Sequence, residues 1–127
     1  MNPSDLEKTA GRYAYDGLDR IIHEKARLSI IASLAGYSEG LLFNELKELC
    51  SLTDGNLSRH LAILQEADLV QMWKGTRNKR PQTLARLTAH GRRRFLEYVT
   101  RLERVVADAS QLTQQPESRA TLRPRTA

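Results

Sequence analysis

The chain has 127 residues, 40% of them apolar and 28% charged, with a formal net charge of +5; this fits one domain with one modest core and disfavours full-length disorder. No apolar run approaches the roughly 18–20 residues of a membrane span, and the first ten residues lack the pattern of a signal peptide, so we expect a soluble cytoplasmic protein. A single cysteine, Cys50, excludes an internal disulfide framework and a multi-cysteine zinc site.

The N-terminal part of the chain is polar and weakly patterned up to residue 17, and we expect it to be only partly ordered. From Leu18 apolar residues recur at helical spacing, through Ile22 and on to Leu34. This pattern predicts an amphipathic helix, and Gly36 is well placed to end it.

A short apolar run, Leu41 to Phe43, predicts a brief strand before a second helix. We expect Asn44 to cap that helix, which ends near Cys50. Leu46 and Leu49 are predicted to mark its buried side.

The third helix follows after a tight link. Thr53 or Asp54 is expected to cap it, and it runs to about residue 67. Its apolar positions are spaced four and three apart, which predicts that one side faces the core. These positions are Leu57, Leu61 and Leu64.

After the third helix the apolar period changes. Residues 69–74 read as a strand, 75–81 as a turn stretch and 83–87 as a returning strand, which together predict a β-hairpin with a basic tip. Trp73 is predicted to lie in the strand core.

The hairpin lies in the most basic part of the chain. Residues 53–94 hold nine Lys/Arg and three Asp/Glu, a net of +6, whereas residues 1–52 have a net of −2. A basic block in a folded region is typical of proteins that bind a polyanion, above all nucleic acid. A solvated basic face would give the same composition, so charge alone leaves both interpretations open.

Thr88 is expected to cap a last helix, which carries an apolar stripe at heptad-like spacing. Beyond Ala109 the chain is rich in Gln, Thr, Ser, Pro and Arg, which predicts a disordered tail over 110–127 and a folded domain over 18–109. The stripe consists of Phe95, Val99, Leu102 and Val106.

The order of helix, short helix, helix, basic hairpin and helix predicts the fold class. It is mainly α with a small β-hairpin, a winged helix-turn-helix whose terminal helices serve dimerisation. In this layout the third helix, about residues 54–67, lies in a major groove. The hairpin, residues 74–81, reaches the phosphate backbone or the minor groove.

Several segments carry a family resemblance. Residues 57–70 resemble the recognition-helix region of ArsR/MarR-type winged-helix regulators. Residues 43–46, 54–61 and 87–92 resemble a small subgroup of winged-helix transcriptional regulators. The resemblance covers about residues 18–107 and implies a homodimer that binds duplex DNA and controls transcription.

The resemblance places candidate DNA contacts on the third helix. Asn56 and Arg59 have the side chains for bidentate contacts to adenine and guanine, and Ser58 fits a phosphate or a base edge. His60 fits either a DNA contact or a hydrogen bond within the protein. The candidate phosphate contacts of the hairpin are Lys74, Arg77, Lys79 and Arg80.

The apolar stripe of the last helix is the candidate dimer interface. Once the other helices and the hairpin fill the core, we expect the stripe to have no partner within the chain, and a second copy would cover it. A last helix that folds back on its own domain is the alternative. The predicted dimerisation residues are Phe95, Val99, Leu102 and Val106, extended by Leu18 and Ile22.

Other classes of function are less consistent with the sequence. An enzyme is disfavoured because there is no glycine-rich phosphate loop and no nucleophile motif. A thiophilic metal sensor needs a second thiolate near Cys50, and His23, His60 and His90 lack ligand spacing, so we expect no metal and no cofactor. A winged helix that docks proteins without specific DNA binding is the main alternative. The operator and any small-molecule effector stay open.

Overall fold

The computed structural model describes residues 10–114. Within this range three short-to-medium helices precede a hairpin and a long helix follows it, and the three strands form one antiparallel sheet in the order β1-β3-β2. The elements are α1 (Lys25–Ala35), β1 (Leu41–Leu42), α2 (Phe43–Cys50), α3 (Asp54–Glu66), β2 (Val70–Arg77), β3 (Arg80–Leu87) and α4 (Ala89–Thr113). This is the predicted winged-helix arrangement, which is confirmed. None of the described helices has the length and hydropathy needed to cross a membrane.

The first helix starts later than predicted. It begins at Lys25 rather than Leu18, and the preceding described residues form turns. The Asp19 carboxylate accepts hydrogen bonds from the amides two and three residues later, at 2.9 and 3.3 Å, and the Glu24 carboxylate does the same at 3.2 and 2.9 Å. Such side-chain bonds compete with a continuous helix, so the apolar spacing alone placed the start too early.

The N-cap residues of the other helices can be compared with those predicted from the sequence. Thr88 Oγ1 accepts from the Gly91 amide at 2.8 Å, which confirms the predicted cap of α4. Thr53 Oγ1 accepts from the Asn56 amide at 3.2 Å, so Thr53 rather than Asp54 caps α3. The prediction that Asn44 caps α2 is wrong. That helix begins at Phe43, two residues earlier than an Asn44 cap would place it, because Glu45 accepts a hydrogen bond from the Leu42 amide at 2.8 Å.

One apolar core joins the three N-terminal helices to the inner face of the sheet. The three leucines predicted on α3 are buried, as is Leu46 of α2. Leu49 is 55% exposed, so its predicted burial is wrong: α2 has only about two turns, and Leu49 near its end faces away from the core. The fully buried core residues include Ile22, Ile30, Ile31, Leu34, Leu46, Leu57, Leu64 and Leu69.

The β2–β3 hairpin, called the wing below, is longer and tighter than predicted. The strands extend to Arg77 and from Arg80, which are paired in register, so the turn contains only Asn78 and Lys79 instead of residues 75–81. Both turn residues have positive φ, 54° and 63°. This is the type I′ geometry, whose twist matches that of the strands and lets pairing continue to the tip.

The long helix α4 continues past the predicted domain boundary at residue 109 to Thr113. Most of the predicted tail, 115–127, and the first nine residues of the chain lie outside the described range.

Residues 10–24, called the strap below, run antiparallel along α4. Arg12 pairs with Asp108 at 2.7 Å near one end, and Asp19 pairs with Arg94 at 2.7 Å near the other. Tyr15 also donates a hydrogen bond to Asp108 at 2.8 Å. The hydrogen bond from Arg12 is the main reason why the pKa of Asp108 is lowered, so this carboxylate is charged at neutral pH.

Candidate nucleic-acid interface

The helix α3 presents a polar outer side. Its leucines face the core, and three of the four predicted contact residues on this helix, Asn56, Ser58 and Arg59, are exposed. They lie in the N-terminal half of the helix, the part that reaches base edges when a recognition helix enters a major groove.

His60 does not share that exposed side. It is 6% exposed and faces the start of α1, with Nδ1 3.3 Å from Arg27 Nη1 and 3.7 Å from Glu24 Oε2. Of the two interpretations left open by the sequence, this burial and the contact with Arg27 support a hydrogen bond within the protein rather than a DNA contact. The sequence held the signal, because residue 60 lies three positions after the buried Leu57.

The exposed charges of α3 are few. Asp54, Arg59 and Glu66 are exposed, so Arg59 is the one cation that this helix offers. Asp54 forms a 2.8 Å ion pair with Lys47, which ties the last turn of α2 to the first turn of α3. The positive charge of the region therefore lies elsewhere.

The wing carries that charge. Its four predicted phosphate contacts, Lys74, Arg77, Lys79 and Arg80, are all exposed and surround the tip. A strand pair with long cationic side chains on both arms can follow a phosphate backbone without fixed geometry.

Trp73 differs from its prediction. It is 43% exposed, because its register partner Leu84 places it on the sheet face opposite to the buried Ala85. Arg86 lies over its ring at 5.0 Å from the centroid, a cation–π contact. Arg86 thus adds a cation to the wing that the sequence prediction did not include.

The corner between α3 and the wing is tightly held. The Leu69 amide donates to the Leu64 carbonyl at 2.9 Å, and Thr88 Oγ1 donates to the Asp68 carbonyl at 2.7 Å. Gly91 of α4 packs directly on Leu69: a Cβ there would overlap the Leu69 carbonyl oxygen and lie 2.9 Å from its carbonyl carbon. The first turn of α4 therefore fixes the wing relative to α3.

Three arginines, residues 92–94, lie at the start of α4, and two of them contact other parts of the same chain. Arg94 pairs with Asp19 of the strap, and Arg92 Nη1 donates to the Ala35 carbonyl at the end of α1 at 3.5 Å. These contacts offset the unfavourable position of cations near a helix N-terminus. Arg93 is exposed.

The apolar stripe of α4 is only partly free. Phe95, Val99 and Leu102 are half-buried against the core of the same chain, so the expectation that the stripe has no internal partner is wrong for them. Val106 is 61% exposed. Leu18 is half-buried against the core and Ile22 is completely buried, which makes Ile22 a core residue rather than an interface residue.

The described residues contain no group of three or more His, Cys, Asp or Glu placed to hold a metal ion. Cys50 is half-buried, with its Sγ 3.6 Å from Ser33 Oγ.

A family model of the winged helix DNA-binding domain matches residues 26–106, from α1 to most of α4. The chain belongs to this family. An uncharacterized protein of Methanocaldococcus jannaschii, MJ0432, is 39% identical to the winged-helix protein over 80 residues, which cover 63% of this chain and 86% of that one.

Solved structures agree with the fold. A transcriptional regulator homologue from Pyrococcus horikoshii OT3 superimposes with a TM-score of 0.67 at 23% identity, covering 84% of the winged-helix protein and 97% of that chain. A MarR-family transcriptional regulator from Silicibacter pomeroyi gives a TM-score of 0.52 at 23% identity, covering 87% and 66%. Family and fold together show a winged helix DNA-binding domain.

Proposed function

We propose that the winged-helix protein binds specific sequences of duplex DNA as a homodimer and so regulates transcription in the cytoplasm. The supporting observation is the fixed pairing of two unlike surfaces, the polar outer side of α3 and the basic wing, across a corner held by Thr88 and Gly91. A major groove admits a helix, and a wing beside that helix reaches the adjacent backbone.

The two surfaces have different roles in this proposal. Asn56 and Arg59 face base edges in the major groove, where an amide matches adenine and a guanidinium matches guanine, and Ser58 contacts a phosphate or a base edge. The wing holds the phosphates or the minor groove through Lys74, Arg77, Lys79 and Arg80.

The specificity is tested by selecting bound duplexes from a random library. We expect an enriched palindromic motif, because a symmetric dimer presents two recognition helices about 34 Å apart. A library that stays random after selection would contradict specific binding.

The salt dependence is measured next, on the selected duplex. With roughly 6–10 phosphate contacts per dimer, affinity should fall by about 10³ to 10⁵ between 50 and 200 mM salt. Affinity that does not change with salt would reject the proposed phosphate contacts and favour a protein-docking role.

The dimer proposal rests on the length of α4. Its 25 residues span about 37 Å, and its C-terminal half carries the exposed Val106 on the same side as Val99 and Leu102. Pairing two copies through this side would bury apolar surface and fix the two α3 helices by symmetry.

Sedimentation of a charged variant tests this interface. Val106→Glu should convert a dimer into a folded monomer of 14.4 kDa at micromolar concentration and weaken specific DNA binding. Leu96→Glu is the matched control: Leu96 is equally exposed, at 59%, and lies about a quarter turn away around the same helix. A monomeric wild type rejects the dimer, and equal effects of both variants reject the interface.

A further inference from the structure

Trp73 lies on the outer face of the sheet, which the core leaves uncovered. Its register partner on β3 is Leu84, and the register partner of Leu84 on β1 is Leu42, so these three side chains form one apolar row across the three strands. The opposite face carries the buried Leu41 and Ala85 and packs on the helices. The duplex-binding function proposed above makes no use of this apolar row.

A slot opens beside the row because residue 75 is a glycine. Gly75 follows Trp73 on the same face of β2, and a Cβ placed there would meet no heavy atom within 4 Å. The slot has a volume of about 230 Å³, and Leu42, Trp73, Gly75, Gln82 and Leu84 are among the residues that line it. This is smaller than the ~300–1,000 Å³ of pockets for drug-sized ligands, so the slot has room for a single flat ring system.

Gln82 supplies a polar group at the edge of the slot. It is the register partner of Gly75 and is half-buried. Its Oε1 is shielded from solvent and has no hydrogen-bond partner within the part of the chain that the structure describes. A buried acceptor without a donor is unfavourable, and rotation about the last side-chain torsion would turn this oxygen towards the slot. A flat ring with an N–H group at its edge would satisfy it.

The charge around the slot selects the chemistry of the occupant. Residues 70–87 contain five Lys/Arg and no Asp or Glu. Arg77 and Arg80 form a register pair at the tip side of the slot. On the other side of Trp73, the Arg86 guanidinium lies over its ring at 5.0 Å from the centroid. Cations on both sides favour a polyanion over an apolar peptide.

We propose that the outer face of the wing binds single-stranded nucleic acid, with one unpaired base stacked on Trp73 in the slot and the flanking phosphates held by Arg77 and Arg86. Stacking on an aromatic ring suits any base, because every base has a π face. A base within a duplex is stacked on its neighbours and cannot enter the slot, so the site requires an unpaired stretch. It is a second site, beyond the duplex reading proposed for α3.

The fluorescence of Trp73 reports on the slot directly, because it is the only tryptophan of the chain. The probe is a deoxyuridine oligonucleotide of about ten nucleotides, compared with a strand of equal length made of abasic sites, which keeps the phosphates and lacks the bases. We expect the deoxyuridine strand to quench the fluorescence, and the abasic strand to bind about tenfold more weakly without quenching. Equal affinity for both strands, or binding without quenching, would leave phosphate contacts alone and overturn the proposal.

A uridine oligonucleotide of the same length identifies the kind of strand that the site takes. It differs from the deoxyuridine strand only in its 2′-hydroxyl groups. Tighter binding of the uridine strand assigns the site to RNA, and tighter binding of the deoxyuridine strand assigns it to DNA. A protein that binds neither strand has no single-strand site, which would reject the proposal and leave the apolar row for a protein partner.

The variant Gly75→Val fills the slot and leaves Trp73 and every charge in place. Gly75 has no positive φ and valine suits a strand, so the variant should fold. We expect it to lose the quenching and about tenfold in affinity for the deoxyuridine strand, with binding to the abasic strand unchanged. Thr76→Val, on the opposite face of the same strand, is the matched control and should behave as the wild type. Thermal melts establish that both are folded, and a Gly75→Val variant that still quenches would overturn the proposal.

Replacing Trp73 measures the stacking by a second route. Anisotropy of a labelled deoxyuridine strand should show an affinity loss of about tenfold for Trp73→Leu, which keeps the apolar row but has no π face, and a much smaller loss for Trp73→Phe. Equal affinities of the two variants would show an apolar contact without stacking and would contradict the proposal. Arg59→Ala should relax sequence preference on duplex DNA and leave single-strand binding unchanged. The single-strand titrations need no selected duplex, so they stay decisive even if the proposed duplex function fails.

Discussion

The helix α3 and the wing are adjacent, yet they are built in opposite ways. α3 is anchored along its length by buried leucines and offers one exposed cation, whereas the wing projects from its root with exposed cationic side chains on both strands. Base reading needs a side chain in a fixed place, and phosphate binding needs charge but little geometry. We therefore expect α3 to determine sequence specificity and the wing to supply affinity for any duplex.

The largest expected effect tests the anchoring of α3. Leu61→Ala should lower the free energy of unfolding by about 2–5 kcal/mol, since it leaves a cavity in the core. The matched variant Leu49→Ala removes the same atoms from an exposed site and should cost less than about 0.5 kcal/mol. Urea unfolding measures both, and similar losses would show that α3 is not the anchored element.

The next effect concerns base reading. Arg59→Ala should weaken binding to the selected duplex by about 1–3 kcal/mol and relax the preference at one base pair per half-site. Binding to an unrelated duplex should change much less. Fluorescence anisotropy with both duplexes measures the ratio, and an equal loss on each would assign Arg59 to the phosphates.

A smaller and uniform effect is expected from the wing. Lys79→Ala should weaken binding to both duplexes alike and reduce the slope of log affinity against log salt by about one per subunit. The same anisotropy titrations, repeated over a range of salt, give the slope. If Lys79→Ala altered sequence preference instead, the division between the two regions would be wrong.

The smallest effect concerns the wing's own backbone. Lys79 has a positive φ of 63°, which costs a residue with a Cβ about 1 kcal/mol relative to glycine. Lys79→Gly should therefore be more stable than Lys79→Ala by about that amount, although both remove the same charge and should bind DNA equally. Unfolding and binding measured on this pair separate the backbone contribution from the charge contribution.

Local patterns in the sequence predicted much of this arrangement. Leucine spacing on α3 gave its buried side, and a threonine before each of α3 and α4 gave their starts, because both signals depend on neighbours within one helical turn. The order of elements and the basic wing followed from the same short-range information.

Other errors fall where distant contacts decide, beside the local errors at Asn44 and at the turn of the wing. Asp19 lies in the strap, where the apolar spacing predicted a helix. Its ion-pair partner, Arg94, is 75 residues away in the sequence. The half-burial of Phe95 likewise depends on which elements pack against it. The exposure of Trp73 follows from a strand register that the sequence pattern did not specify.

The strap has a consequence for attaching other domains. Because Arg12 lies beside Asp108, roughly 30 Å along α4 from its first turn, the two ends of the described chain, residues 10 and 114, share the end of the molecule remote from the wing root. A fluorescent reporter or a second protein domain joined directly at residue 10 or residue 114 would start from that remote side. Engineered fusions at both ends at once should therefore leave access to the wing open.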